Sequence, residues 1–475
     1  MEKEKLIELF KEISNRKYES QTEECKAARK GCPEHLYDTL SSFSNQNEGG
    51  IILFGIDEKD DYRLCGVYDV SDLQLKLKNQ CENLSPAVRP FFTAVSFDGK
   101  DFLAMEIPPV PPLERTCYYK PKGRYGGSYI RVGDADLPMS EFEIHQYESY
   151  KKRTKDDARI VDDDSIKLFD AEKHQTYLKR VKEQRPNLAK NVSDEEIDSL
   201  MGLSKEGKPT LAATMVFSKY PQTYFPQYSI IAVKIDGVQV TDLGIDGERF
   251  LANERITGPI DEMAEALVKF VRANMEYKTI VKESGERADK PEYPPLAIRE
   301  AILNALIHRD YSSFSEGMPI RVEMYRDRIE ITNPGQLYGS GNIESLGRER
   351  LETRNAVLAD VLEILGISEN RYSGIPTIRK EMRENNLPQP TFLSQRGEFK
   401  VVLRNRFAEN EDDIIASLLD YCSIPRSKEE IVRFLGKSKN YVISKFISPL
   451  VASGQLRLSM PEKPRSSFQK YFHED

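Results

Sequence analysis

The sequence predicts an α+β multidomain protein, on three observations. A length of 475 residues suggests about three domains. An apolar helix followed by a β-hairpin lies between residues 294 and 335, and the tail reads as short helices closed by a basic strand pair. Charged residues at 31% and hydrophobic ones at 39% fit an ordinary globular chain, and a net charge of −8 excludes a uniformly basic coat. Any nucleic-acid contact must then come from local patches. Cysteines at 25, 32, 65, 81, 117 and 422 form no C-x-x-C pair and have only 5 histidines to join them, so reduced thiols without a zinc site are expected. The start MEKEKLIELF lacks an apolar signal region, and no apolar run reaches the length of a membrane span. The expectation is a cytoplasmic protein with no membrane partner.

In chain order, residues 1–150 read as a first domain. Glu4 to Ile13 is an amphipathic helix, Glu34 to Asn45 a second one, and Gly49-Gly50 leads into a strand, Ile51 to Ile56, that ends at Asp57. Glu19, Glu24 and Asp57 cluster around that strand. Such carboxylates can hold one or two Mg²⁺ or Mn²⁺ ions, with Lys26 neutralising a phosphate. Alternatively, Glu24 pairs with Lys26 on a strand face and Asp57 caps a turn. Glu19-Ser20-x-x-x-Glu24-x-Lys26, Phe43-x-Asn45, Gly49-Gly50, Gly55-Ile56-Asp57 and Tyr129-Ile130-Arg131-Val132-Gly133 together resemble the Schlafen AlbA-like domain over its whole length. The resemblance implies either a DNA-binding regulator or a metal-dependent nuclease that cuts tRNA with Glu19, Glu24 and Asp57. Lys26, Arg29, Lys30, Lys120, Lys122, Arg124 and Arg131, interleaved with Tyr118, Tyr119, Tyr125 and Tyr129, suit a surface that grips phosphates and stacks bases.

Residues 151–290 read as a linker and connecting α/β region. Lys151 to Ser165 is charge-rich, and Ala171 to Glu183 and Ser193 to Leu203 are helices, the second with Ser193 and Glu196 spaced as a capping box. Thr210 to Phe217 and Tyr228 to Ile235 are expected as strands, and Ile260 to Met275 as a long amphipathic helix.

Residues 291–405 carry the element that organises the rest. Pro294 and Pro295 set a helix entry, and Glu300, Asn304 and His308 fall on one stripe of an otherwise apolar helix. Buried polar side chains need partners, so the stripe is either a satisfied core network or a site for a charged ligand. A hairpin follows, Ile320 to Tyr325 and Ile329 to Ile331, ending in Asn333-Pro334-Gly335. This order resembles the Bergerat fold of the GHKL ATPases, and REAILNALIHRDYS with RIEITNPG resembles the divergent ATPase module found behind Schlafen-type domains in bacterial regulators. By that resemblance Asn304 ligates Mg²⁺, Glu300 orients or deprotonates water, and Asn333 takes the place of the adenine-reading Asp. His308, Arg309, Gly335, Arg354, Asn355, Ser373 and Gly374 complete the expected ATP site.

Residues 411–475 read as three short helices and a two-stranded wing, a winged helix-turn-helix. Lys439, Asn440 and Lys445 would face a groove while Lys463, Arg465 and Lys470 touch phosphates; the other use of such a module is protein docking. The fold expected is thus a Schlafen/AlbA-like α+β domain, a GHKL (Bergerat-type) α/β sandwich and a C-terminal winged helix. The function expected is an ATP-binding, nucleic-acid-binding regulator, a homo-oligomer whose assembly nucleotide controls. The alternative is a metal-dependent endoribonuclease acting on tRNA, in phage defence.

Overall fold

The computed structural model describes residues 3–161, 167–242, 247–281, 287–339, 341–349, 351–368, 374–405, 414–415, 418–419, 421–435, 439–462, 466 and 469–473. Its α+β architecture contains two principal sheets. The first has four strands in the order Glu23–Lys26, Gly50–Phe54, Lys100–Ile107, Phe91–Phe97; the first pair is parallel and the others antiparallel. Because successive strand side chains alternate faces, Ile51 and Leu53 pack under the helix Lys3–Arg16 with its Leu6, Phe10 and Ile13. Ile52 and Phe54 point the other way, under the helices Tyr37–Asn45 and Val70–Glu82. That double covering explains the unbroken apolar run Ile51 to Phe54. Gly50 has no room for a side chain: a Cβ there would lie 2.4 Å from the Phe43 ring. Asn45 stitches the unit together, donating to the carbonyls of Cys117 and Tyr129 at 2.9 and 3.0 Å and accepting from the Cys117 N–H at 2.7 Å.

The second sheet has six strands in the order Ala252–Ile256, Ile230–Lys234, Ile320–Met324, Arg328–Pro334, Glu398–Arg404, Thr391–Gln395. Only the pairing of Ile230–Lys234 with Ile320–Met324 is parallel. One continuous core runs from Val161 to Leu403, so the connecting region and the hairpin share a sheet and a core. The helices Ile260–Asn274, Pro295–His308 and Gly374–Glu384 pack on it. The segment expected as a strand from Thr210 is instead the helix Leu211–Phe217, capped by the Thr210 hydroxyl, which accepts from the Ala213 N–H at 3.4 Å. All of its residues are buried, and a short run apolar on every side carries no periodicity to separate helix from strand.

The charged segment after Lys151 is anchored: Asp157, 1% exposed, accepts from the N–H groups of Val357 and Leu358 at 2.8 and 3.1 Å. At the C-terminal end, Arg426–Ser427, Lys470–Phe472 and Arg457–Leu458 form a three-stranded antiparallel sheet. It packs with the helix Lys428–Leu435 and a helical stretch from Lys439 to Ala452 around Leu418, Ile431, Val442, Phe446 and Tyr471. Ser427 and Glu430 form a reciprocal cap. Among the described residues no helix is long and apolar enough to cross a membrane.

Candidate functional site

The helix Pro295–His308 lays one face on the second sheet and turns the other toward a cleft with an empty volume of about 1330 Å³, counting the part open to solvent. Residues four apart lie one above the other on a helix, so Glu300, Asn304 and His308 line the cleft together. Asn333 and Gly335, at the end of the strand Arg328–Pro334, line its base, and Gln336, Leu337, Tyr338, Leu346, Gly347, Glu349, Leu351 and Glu352 cover it as a lid. Gly374 closes the far wall, where a Cβ would come within 2.7 Å of the Asn304 amide nitrogen. Of the polar atoms here, Asn304 Nδ2, Asn333 Oδ1 and Gln336 Nε2 are buried without a hydrogen-bond partner among the described residues. Native interiors rarely leave such groups unpaired, since each costs about 1–3 kcal/mol. His308 is open to the cleft but packed in by protein; burial, then the nearby Arg354 charge, pull its imidazole down to about 4.

The other expected ligand residues are placed differently. Arg309 is a correction: the chain leaves the helix at this residue, and its side chain is buried behind the cleft, 4.6 Å over the Tyr228 ring and donating to the Ser315 carbonyl at 2.9 Å. Asn355 is another. Its amide donates to the carbonyls of Ile307 and Arg309 at 2.8 and 2.7 Å, supplying the partners that the end of a helix lacks. Arg354 sits just behind the wall, 3.2 Å from Asp310 and 2.6 Å from the Gln146 side-chain Oε1, with its guanidinium over Tyr338. Ser373 lies outside the described residues. Sequence reasoning missed Asp310, Gln146 and Tyr338. Asp310 follows directly on the stripe and was within reach; Gln146 lies 208 residues from Arg354, and no local pattern marks it.

The acidic cluster differs from the arrangement a metal needs. Glu19 and Glu24 do converge, but the Arg131 guanidinium stands between them, 3.4 Å from Glu19, 2.8 Å from Glu24 and 3.1 Å from Asp136. Lys26 pairs with Glu24, and Asp57 accepts from the Lys59 N–H at 3.2 Å as the cap of its own turn. Among the described residues no group of three or more His, Cys, Asp or Glu is set to hold a metal ion. The expected metal ligands Glu19, Glu24 and Asp57 therefore do not fit the ion in this arrangement, because a fixed cation occupies its place. Burial, then the Glu24 charge, push Glu19 up to about 7. Burial opposes the charge on Lys26, but Glu24, Glu58 and Glu19 together raise its pKa.

Arg131 is likewise withdrawn from the expected phosphate-gripping surface, its side chain only 1% exposed. Arg29, Lys30, Lys120 and Lys122 remain exposed, with Lys122 2.9 Å from the hydroxyls of Tyr37 and Tyr129, beside Tyr37 and Tyr119 stacked at 4.5 Å. In the C-terminal unit Lys445 and Lys470 are exposed, and Lys439 is bound to Glu429 at 3.0 Å. Lys463 and Arg465 lie outside the described residues, as does the side chain of Asn440.

Comparison with known proteins matches residues 11–140 to the family described as "Schlafen, AlbA_2". Residues 317–403 match "Putative ATP-dependent DNA helicase recG C-terminal". No curated protein matches. Among solved structures, the DIP2311 protein of Corynebacterium diphtheriae is similar at 20% identity and a TM-score of 0.39, over 94% of this chain and 92% of that one. The N-terminal domain of a "Putative ATP-dependent DNA Helicase RecG-related Protein" from Nitrosomonas europaea is similar at 30% identity and a TM-score of 0.23, over 27% of this chain and 90% of that one.

Proposed function

From a chain that joins a Schlafen AlbA_2 domain to an ATPase-like domain of the RecG C-terminal family, we propose a nucleic-acid-binding regulator whose state is set by ATP in the cleft. The observation that carries this reading is the set of unpartnered amides, Asn304 Nδ2, Asn333 Oδ1 and Gln336 Nε2, lining the cleft. A ligand with its own donors and acceptors removes that cost. Asn304 would hold a Mg²⁺ ion through its amide oxygen, Asn333 would read the base edge, and Glu300, one turn before Asn304, would orient water near the phosphates. A bound Mg²⁺ would neutralise charge on the phosphate oxygens. Titration of a fluorescent ATP analogue with Mg²⁺ tests the site. Saturable binding is expected, weakened about tenfold or more in Asn304→Ala and Asn333→Ala, a loss of roughly 1.4 kcal/mol each. No binding by the unaltered chain, or variants that bind as well as it does, would overturn the reading.

The nucleic acid would meet exposed basic side chains at the two ends of the chain, Lys122 with its tyrosines in the first and Lys445 and Lys470 in the last. The C-terminal unit would act as a winged helix, and nucleotide would shift a dimerisation equilibrium that sets the spacing of two such units. A duplex-DNA mobility shift that weakens steeply with salt is expected. An elution volume on gel filtration unchanged by ATP and Mg²⁺ would remove the assembly step.

A further inference from the structure

The helix Glu141–Lys152 ends the first unit, and its inner face meets the cleft's lid. Gln146, 6% exposed, donates from its amide to Asp310 and accepts from Arg354 at 2.6 Å. Asp310 and Arg354 are themselves buried, 3.2 Å apart, and Arg354 also donates to the Gln336 carbonyl at 3.1 Å. One turn further along the same helix, Tyr150 donates to Glu352 at 3.3 Å and meets the Tyr338 ring edge-on at 5.1 Å, and Arg153 pairs with Glu352. Gln336, Tyr338 and Glu352 all line the cleft.

We propose that Gln146 is a positioning residue for the nucleotide site: it fixes Arg354, and through Arg354 the lid, so cleft occupancy and the seating of the helix Glu141–Lys152 form one coupled equilibrium. This rests on the cleft being a nucleotide site. An amide is the side chain the place requires, since one end must donate to a carboxylate and the other accept from a guanidinium. Burial makes the arrangement all-or-none, because a seat that satisfies only part of the network leaves buried polar atoms unpaired. The lid cannot shift without moving Gln336 and Arg354, and Arg354 cannot move without releasing Gln146. Linkage then requires reciprocity: whatever the seated helix adds to nucleotide affinity, nucleotide returns as tighter seating of the helix. The same helix follows directly on the hairpin Tyr129–Val132 and Ala135–Pro138, which carries Arg131 into the acidic cluster. The coupled element therefore reaches the part of the first unit where the carboxylates are held.

The test uses the full chain. A fluorescent ATP analogue with Mg²⁺ is titrated into the unaltered protein, Gln146→Leu and Gln146→Glu, and amide hydrogen exchange over residues 141–152 is followed with and without ATP. Leucine removes both hydrogen bonds; glutamate keeps the acceptor for Arg354 but sets a carboxylate against Asp310. Affinity is expected to fall about fivefold or more in both variants. ATP should slow exchange in the helix of the unaltered chain and have little effect on it in the variants, a difference that a purely structural side chain would not produce. Equal affinity in the variants, or exchange in the unaltered helix indifferent to bound ATP, overturns the proposal, and the exchange arm on the unaltered chain needs no variant to fold. If the unaltered chain binds no nucleotide, the cleft reading fails first and this inference falls with it.

Discussion

Glu19 and His308 leave their ordinary protonation ranges in opposite directions, and the consequences for stability are opposite too. Glu19 is raised from 4.5 to about 7, by burial first and the Glu24 charge second, so the fold favours its neutral form. That contribution is complete below about 4.5 and is lost as pH rises through about 7. Glu19→Gln keeps an acceptor for the Cys25 N–H and removes the penalty; it should melt higher than the unaltered chain at pH 8, by on the order of 1–3 kcal/mol of stability, and no higher at pH 4.5. His308 is lowered from 6.5 to about 4, so its contribution is present above about 6.5 and lost as pH falls through about 4. Urea midpoints at pH 7 and pH 5 should therefore differ less in His308→Gln than in the unaltered protein. Residue identities on the stripe were legible because helical spacing alone puts Glu300, Asn304 and His308 together. Arg131 was not: a short motif shows an arginine near a strand end, and only the fold shows that three carboxylates converge on it.

Elements were read well where periodicity or chemistry repeats locally, as in the helix Pro295–His308 with its leading prolines and the capping box at Ser193. They were misread where the evidence is distant. Nothing near Asp157 indicates that it caps a helix 200 residues away, and a run of charges reads as a solvated linker. The helix Ala356–Ile364 needs that outside cap because Asn355, in the N-cap position, spends its side chain on the carbonyls of Ile307 and Arg309. Asp157→Ala is expected to cost about 1–2 kcal/mol, read as a lowered denaturant midpoint with an unchanged slope. An unchanged midpoint would mean that the segment is the free linker its composition suggests. Arg131→Ala should cost more, about 3–5 kcal/mol, since it leaves buried carboxylates facing one another without their cation.

At the scale of the whole molecule, the order of strands in the second sheet decides which pieces can stand alone. The signature helix and hairpin lie within residues 291–405, but Ile230–Lys234 pairs directly along Ile320–Met324, and Ala252–Ile256 covers its other side. Sequence motifs cluster in the later part because the cleft-lining residues are there; of the earlier strands, Ile230–Lys234 carries mostly core and Ala252–Ile256 is largely exposed, and neither pattern names a partner. A fragment of residues 291–405 would expose the edge of Ile320–Met324 and uncover Ile320 and Val322, both essentially inaccessible in the fold. An unpaired apolar edge is a template for association. That fragment is expected to aggregate or to show no cooperative melting transition. A fragment of residues 155–405 keeps all six strands, the Asp157 cap and the Asp310–Arg354 pair, and should melt cooperatively. It should also bind the ATP analogue more weakly than the full chain, because Gln146, Tyr150 and Arg153 are gone from the lid. Cooperative folding of 291–405 alone would show that the two earlier strands are accessory. Equal affinity in 155–405 would detach the first unit from the cleft.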